Sequence, residues 1–334
     1  MIYSLGFLLS LGISLSLTPL IIRESKRFSL YDNPDRRKFH KERRPTLGGI
    51  AIILSSFISL TLITEIFFKG TTDFPLLKVI IASLPVIGVS IYDDIKGSPI
   101  GMKFLFQIIG GGLFLLLMNP LQSLNLPFIG KVYLGGFSYP VGILWILLIT
   151  NAINLIDGLD GLAAGVVAIS SLFLFFSSLL ARRPIAGLWA LSLCGASMGF
   201  LPYNFSPARI FMGDTGSAFL GFSLGSLSLI GAGKSVALVS LLFPVLALGF
   251  PILDVVTTVV RRSRNRRNIF EADREHIHYK ILKLGIDQKK AVLYLYLVTF
   301  LLGCLGLSLF SQNRIIPLLI LLIGLVISII IFKR

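Results

Sequence analysis

Eleven apolar runs, at roughly 2–22, 47–68, 76–92, 100–118, 138–156, 161–180, 185–201, 215–231, 235–260, 289–310 and 315–332, occupy most of the 334 residues. Each approaches the ~20 residues that cross a bilayer core as helix. The chain is 54% hydrophobic and 14% charged, with a mean hydropathy of +0.86. That is more apolar surface than a water-soluble fold of this length can bury. The connections are too short for a separate soluble unit. The expectation is therefore an all-α integral membrane protein, one domain over 1–334 with about eleven transmembrane helices. The first run lacks a basic stretch before it and a small-residue cleavage site, so it reads as a retained helix rather than a signal peptide.

The formal net charge is +15, with 31 Lys and Arg. With eleven spans, the connections alternate between two faces. One face carries Lys69, Lys78, Lys131, Arg182, Arg183, Lys234 and Arg314, and the other carries the remaining basic residues. The rich face is assigned to the cytoplasm. The N-terminus is then outside and the C-terminus cytoplasmic. Topology accounts for most of the positive charge, so no nucleic-acid partner is expected. Some of it is also placed to meet anionic lipid or phosphate.

On the outer face, KVYLGGFSY reads as a small β-hairpin around Gly135 and Gly136. On the inner face, 23–46 and 261–290 are the two long connections, both strongly basic. EADREHIHYKILKLG in the second reads as a short helix, with Asp273 as N-cap, Ile277, Ile281 and Leu284 on one face, and Gly285 as C-cap. Pro244, Gly249 and Pro251 mark the ninth span for a kink. Cys194 and Cys304 lie within spans and read as packing residues.

Five aspartates break the apolar pattern. Asp93 and Asp94 follow the third run, Asp157 and Asp160 the fifth, and Asp214 the seventh. Parity places all five on the cytoplasmic face. One such residue would be a solvated helix end. Five at three same-side junctions point to a cation and a phosphate, because adjacent carboxylates ionise together only beside a cation or good solvation. Oxygen ligands among small polar neighbours suit Mg2+. Flanking glycines permit close backbone approach, and helices that restart there present free N–H groups.

Other residues are open to two readings from position alone. Asn151 and Asn154 lie in the last turns of the fifth span, either as interhelical hydrogen-bond partners or as ligands. Asn204 precedes Asp214 by ten residues. Lys103, at the start of the fourth span, is a snorkelling lysine or a phosphate ligand. Phe211 packs at the interface or stacks on a base. Arg274, His276 and His278 are solvated loop residues or contacts for phosphate or sugar. Asp254 reads as a partner for Arg261 or Arg262.

Taken together, RRPTLGG (43–49), YDDIKG (92–97), NAINLIDGLDGLAAG (151–165), FMGDTGS (211–217) and REHIHYKILKLG (274–285) resemble the polyprenyl-phosphate N-acetylhexosamine-1-phosphate transferase family. They stand in the family's order and spacing. The resemblance implies transfer of a sugar-1-phosphate from a UDP-sugar to a lipid phosphate, with release of UMP. It implies Mg2+, with Mn2+ as an alternative ion. Asp214 and Asn154 would bind the metal, Asp93 and Asp94 would face the lipid phosphate, and Lys103 would meet the pyrophosphate. Phe211, Asp160 and Asn204 would hold the uridine, with Asp157 beside them and Lys41 and Thr46 contacting the nucleotide. Arg274, His276 and His278 would bind the donor's sugar and phosphates. Tyr279 departs from the family's pattern, which has a histidine there. The connections 23–46, 93–100, 157–160, 202–214 and 261–290 would form the active site, as three neighbouring subsites.

Within the family, the NLIDGLDG and REHIHYKILKLG strings are more similar to the branch using UDP-GlcNAc than to the branch using UDP-N-acetylmuramoyl-pentapeptide. The implied acceptor is undecaprenyl phosphate, in a bacterial cytoplasmic membrane, for the first lipid-linked step of an envelope polysaccharide such as lipopolysaccharide or teichoic acid. The oligomeric state is left open, a homodimer included. A secondary transporter for an anionic solute is the rival class, but its site would sit at mid-bilayer rather than at one face.

Overall fold

A computed structural model describes residues 1–32, 43–68, 76–118, 123–126, 130–232, 245–265 and 276–308. In chain order the long helices are α1 (Ile2–Arg27), α2 (Gly49–Phe67), α3 (Leu76–Lys96), α4 (Ile100–Met118), α5 (Ser138–Ile156), α6 (Leu162–Leu180), α7 (Pro184–Asn204) and α8 (Gly213–Ala232). They are followed by α9 (Gly249–Arg264), the short α10 (Ile277–Lys283) and α11 (Gln288–Ser308). Among the described residues, eight helices are long and apolar enough to cross a membrane, and the protein is a multi-pass membrane protein. The expected span at 315–332 and the first part of that at 235–260 lie outside the described residues.

α8 is the hub. It packs on α5, α3 and α2, with α6, α7 and α4 also in contact. Its residues from Thr215 to Leu229 are buried on all sides. Small residues let neighbours approach a helix in this position, since apolar side chains gain little by leaving lipid for protein.

The outer helix α1 shows the same logic in reverse. Its buried positions Gly6, Ser10, Ser14 and Thr18 recur every four residues, while Leu5, Leu8 and Leu20 are exposed. The small polar stripe faces inward. Ser10 Oγ donates to the Ser192 carbonyl at 2.7 Å and Ser14 Oγ to the Ala196 carbonyl at 2.8 Å, both on α7. A Cβ at Gly195 would collide with the Phe7 carbonyl oxygen, so this crossing requires glycine.

The kink expected in the ninth span has a specific cause. The helix breaks at Leu248 and restarts at Gly249. Pro251 has no N–H to give the Ala247 carbonyl four residues back. That carbonyl instead accepts from Ser170 Oγ at 2.8 Å. A neighbouring helix thus satisfies the group that proline leaves bare.

Two small ribbons complete the fold. Tyr31–Asp32 (β1) pairs antiparallel with Arg44–Pro45 (β2). Ser123–Leu126 (β3) pairs antiparallel with Gly130–Tyr133 (β4). The expected hairpin around Gly135 and Gly136 is therefore shifted. KVY forms the second strand, and Gly135–Phe137 is a 3-10 turn leading into α5. The correct pairing uses the preceding Ser123–Leu126 segment, whose backbone already runs antiparallel to KVY. The short helix of the basic connection begins at Ile277 with His276 as its N-cap position, three residues later than Asp273. Asp273 lies outside the described residues. Gly285 takes φ +80 just past its end, as a C-terminal glycine should.

Gly195→Ala should lower the melting temperature in detergent, through overpacking of about 1–3 kcal/mol. Gly12→Ala on α1, where a Cβ meets nothing within 4 Å, should leave it unchanged. Equal melting of the two variants would contradict the tight α1–α7 crossing.

Candidate active site

The ends of α3, α5 and α7 and the starts of α2, α4, α6 and α8 meet at one end of the bundle. α3 runs on to Lys96, so Asp93 and Asp94 lie in its last turn rather than after it. Carboxylates are disfavoured at a helix C-terminus, where the dipole is negative. Each has a compensating partner.

Asp94 reaches the N-terminus of α8. Its Oδ1 accepts from the Asp214 N–H at 2.8 Å and its Oδ2 from the Thr215 N–H at 2.9 Å. These N–H groups lie in the first turn of α8, where intrahelical acceptors are lacking. Gly213 makes the approach feasible. It adopts φ +69, and a Cβ there would collide with the Asp94 carboxylate. Each oxygen of Asp94 therefore accepts from the backbone of α8.

Asp93 is held differently. Its Oδ1 accepts from the Ser98 N–H at 2.8 Å and from Ser98 Oγ at 2.7 Å. Its Oδ2 lies 2.6 Å from Lys103 Nζ. The same ammonium donates to Asp214 Oδ2 at 2.5 Å. Asp214 Oδ1 accepts from Asn154 Nδ2 at 3.0 Å, and Asn154 also donates to Ser217 Oγ at 2.9 Å. Lys103 is thus a bridge inside the cluster rather than a snorkelling residue. Asp93, Lys103, Asp214 and Asn154 form one connected network. The acceptor and metal positions, read separately from the sequence, share an ammonium.

A hard divalent cation fits this donor set. One carboxylate oxygen each from Asp93, Asp94 and Asp214 lie within 4.8 Å of one another. The lysine already shows that Asp93 and Asp214 together hold positive charge. Asp94 is engaged by two backbone donors and Asp93 by Ser98 and Lys103, whereas Asp214 is met by the side chains of Lys103 and Asn154. Asn154 turns its amide nitrogen, not its oxygen, toward Asp214, so ligation by Asn154 requires a half-turn of the amide. Asn151, by contrast, is a packing amide: its Nδ2 donates to Gln107 Oε1 at 2.8 Å.

A second group gathers around residues 205–212. Asp160 Oδ2 accepts from the Ala208 N–H at 2.9 Å and lies 3.6 Å from Arg44 Nη1. Arg44 also donates to the Ala208 carbonyl and lies over the Phe211 ring at 5.9 Å. The 44–49 segment docks through backbone bonds. Phe211 N–H donates to the Pro45 carbonyl at 2.9 Å, and Gly48 N–H to the Phe211 carbonyl at 3.0 Å. Thr46 is buried at 5% exposure, its carbonyl accepting from Ser25 Oγ at 2.9 Å. Asn204 is 2% exposed. Its Oδ1 accepts from the Gly161 N–H at 3.1 Å and its Nδ2 donates to the Ile210 carbonyl at 3.0 Å. That geometry braces the loop and the start of α6.

Asp157, the C-cap of α5, lies between the two groups. Part of its surface still meets solvent, yet it sits deep among protein atoms. Desolvation, then repulsion from Asp214, Asp94, Asp160 and Asp32, pushes its carboxyl well above the ordinary range. His276 is engaged with Asp254. Lys41, Arg274 and the side chain of His278 lie outside the described residues. Arg44, Ser98 and Ser217 were not singled out from the sequence. Arg44 and Ser217 stand inside the quoted RRPTLGG and FMGDTGS strings, but only the folded chain shows what they touch.

The raised Asp157 value has a direction in pH. The folded state holds a proton that the unfolded chain, with a pKa near ~3.9, releases. The stabilising contribution is full below the unfolded value and is lost as pH rises through the folded one. In chelator, Asp157→Asn should therefore gain melting temperature over the wild type increasingly as pH rises above the unfolded value. A difference independent of pH would contradict the crowding of carboxylates around Asp157.

Comparison with known proteins places the chain among named relatives. Residues 76–232 match the model for "Glycosyl transferase family 4". The chain is 34% identical over 313 residues to a probable undecaprenyl-phosphate N-acetylglucosaminyl 1-phosphate transferase of Bacillus subtilis, covering 92% of this chain and 85% of that protein. It is 32% identical over 294 residues to a decaprenyl-phosphate N-acetylglucosaminephosphotransferase of Mycobacterium tuberculosis, covering 79% of this chain and 72% of that one. A phospho-N-acetylmuramoyl-pentapeptide-transferase of Staphylococcus epidermidis is 29% identical over 318 residues, 90% of this chain and 97% of its own. With this identity over nearly its whole length, and with its aspartates, lysine and asparagine drawn into one network, the chain belongs to glycosyl transferase family 4, the polyprenyl-phosphate sugar-1-phosphate transferases.

Proposed function

We propose that the protein transfers GlcNAc-1-phosphate from UDP-GlcNAc to undecaprenyl phosphate, releasing UMP and leaving undecaprenyl-pyrophosphate-GlcNAc. The observation that carries this reading is the Lys103 ammonium between Asp93 and Asp214, beside Asn154 and the start of α8, at one end of an apolar bundle. A site so built meets a water-soluble diphosphate from one side and a lipid phosphate from the other. The basic asymmetry of the sequence places this end on the cytoplasmic face of the cytoplasmic membrane, with the N-terminus outside and the β3–β4 ribbon external. The whole chain acts as one membrane-embedded transferase domain.

Mg2+, or Mn2+ in its place, would be held by Asp214 with Asp93 and Asn154 at hand, and when bound it neutralises the donor pyrophosphate. The residues do the rest. A lipid phosphate is largely dianionic at neutral pH, since a phosphate monoester has a second pKa near ~6. It is already a nucleophile and needs no strong base. The harder task is to bring two anions together, and Lys103 serves it by placing positive charge between them. Asp93, fixed by Ser98, orients the acceptor or takes its residual proton. Asp94 secures the first turn of α8, and with it Asp214. An acceptor oxygen attacks the β-phosphorus in line with the bridging oxygen. The bond to that oxygen breaks, and UMP leaves with the electron pair. Phe211, Asp160 and Asp157, with Thr46 and Lys41, form the nucleotide side. Arg274 and His278 serve the donor's sugar and phosphates.

Use of UDP-N-acetylmuramoyl-pentapeptide is the second reading, favoured by the staphylococcal relative that the chain matches along 97% of its length. The higher identity to the GlcNAc-named relatives, with the NLIDGLDG and REHIHYKILKLG strings, weighs toward UDP-GlcNAc.

Radiolabelled sugar should pass from UDP-GlcNAc to undecaprenyl phosphate only when Mg2+ or Mn2+ is added, and not from UDP-N-acetylmuramoyl-pentapeptide. Transfer from the pentapeptide donor alone would move the protein to the second reading. Asp214→Ala should show no detectable turnover at ordinary Mg2+, and near-normal activity would remove Asp214 from the metal site. Direct attack also forbids exchange of labelled UMP into UDP-GlcNAc without lipid acceptor. Such exchange would establish a covalent intermediate.

A further inference from the structure

Asp254 on α9 is 0% exposed. A carboxylate in that position is costly unless donors surround it. Two donors come from the start of α10. The Ile277 N–H donates to Asp254 Oδ1 at 2.6 Å, and His276 Nδ1 lies 2.9 Å from Asp254 Oδ2. His276 is itself only 4% exposed. Thr258 Oγ1 lies 3.3 Å from the same ring nitrogen, and the Tyr279 ring stands edge-on to the imidazole at 6.3 Å. As N-cap residue, His276 makes no capping bond with its own side chain. The cap comes from Asp254, on a different helix.

An ionised carboxylate beside Nδ1 requires the proton on that nitrogen. We propose that His276 is a positioning residue rather than a ligand of the donor: Asp254 holds its Nδ1–H, and the pair fastens the first turn of α10 to α9. The backbone at His278 and the end of the basic connection take their place from that fastening. Tyr279, where the family pattern has a histidine, packs on the imidazole and so belongs to the same joint. The activity readout rests on the transferase reading; the pairing itself does not.

Side-chain isosteres separate the two roles of the ring. Asparagine puts an N–H where Nδ1 stands, and glutamine puts one where Nε2 stands. His276→Asn should keep kcat/KM within about threefold of wild type. His276→Gln and His276→Ala should raise the KM for UDP-GlcNAc about tenfold or more, the usual scale for losing a residue that orients a ligand. The KM for undecaprenyl phosphate should stay within about twofold, since that substrate lies toward α3 and α4. Activity retained by glutamine and lost by asparagine would overturn the proposal, and so would activity retained by both or a loss spread equally over both substrates. The chain has three histidines, so 15N-histidine NMR of the full protein, with His40 and His278 replaced, gives a readout that needs no His276 variant to fold. A proton on His276 Nδ1 supports the pairing, and a bare Nδ1 overturns it. If the wild type transfers nothing, the transferase reading fails by itself, and the nitrogen signal still decides the Asp254 pair.

Discussion

Negative charge at the end of an apolar bundle must be held by something positive, and two positive ends meet here. One is the Lys103 ammonium, within 2.6 Å of both Asp93 and Asp214. The other is the N-terminus of α8, whose first N–H groups close on Asp94. Remove either, and one of the two carboxylates that end α3 would lose its positive partner at the helix's own negative pole. The site and the fold are therefore the same object at this end. The contacts that let the carboxylates sit together also register α3 and α4 against α8.

The rest of the bundle exists to bring those ends together. In lipid, apolar side chains gain little from helix contact, so small and hydroxyl-bearing residues line the closest crossings, beside buried Phe, Leu and Ile side chains. The Gly6, Ser10, Ser14 and Thr18 stripe of α1 and the glycine- and serine-rich α8 are two examples. The same economy appears where Ser170 answers the carbonyl that Pro251 leaves unpaired. Close helix crossings, backbone N–H groups and the Lys103 and Asn154 side chains together set the distances on which the site depends.

Much of this was legible in the residues. Hydropathy marked each long described helix, and parity brought Asp93, Asp94, Asp157, Asp160 and Asp214 to one end. What parity cannot supply is which oxygen meets which donor. Asp93 and Asp94 are neighbours in sequence and look alike, yet one faces a lysine and the other a helix terminus, because consecutive residues on a helix point about 100° apart. Position marked Asn204 as a polar residue before Asp214, but not that its amide bonds the Gly161 N–H and the Ile210 carbonyl. Asp254 reads as a partner for Arg261 or Arg262, and position cannot show that its buried oxygens meet a histidine and an N–H that lie 22 and 23 residues on. The KVY strand was visible, but its partner was not, since strand pairing depends on the whole connection.

The sequence by itself determined the membrane class, the helical architecture and the end of the bundle where the aspartates gather, because hydrophobic length and charge placement act locally and add along the chain. Only the tertiary structure decided how the aspartates divide their work. Those roles depend on contacts of 2.5–3.0 Å between residues 60 to 120 positions apart, and no local pattern encodes them.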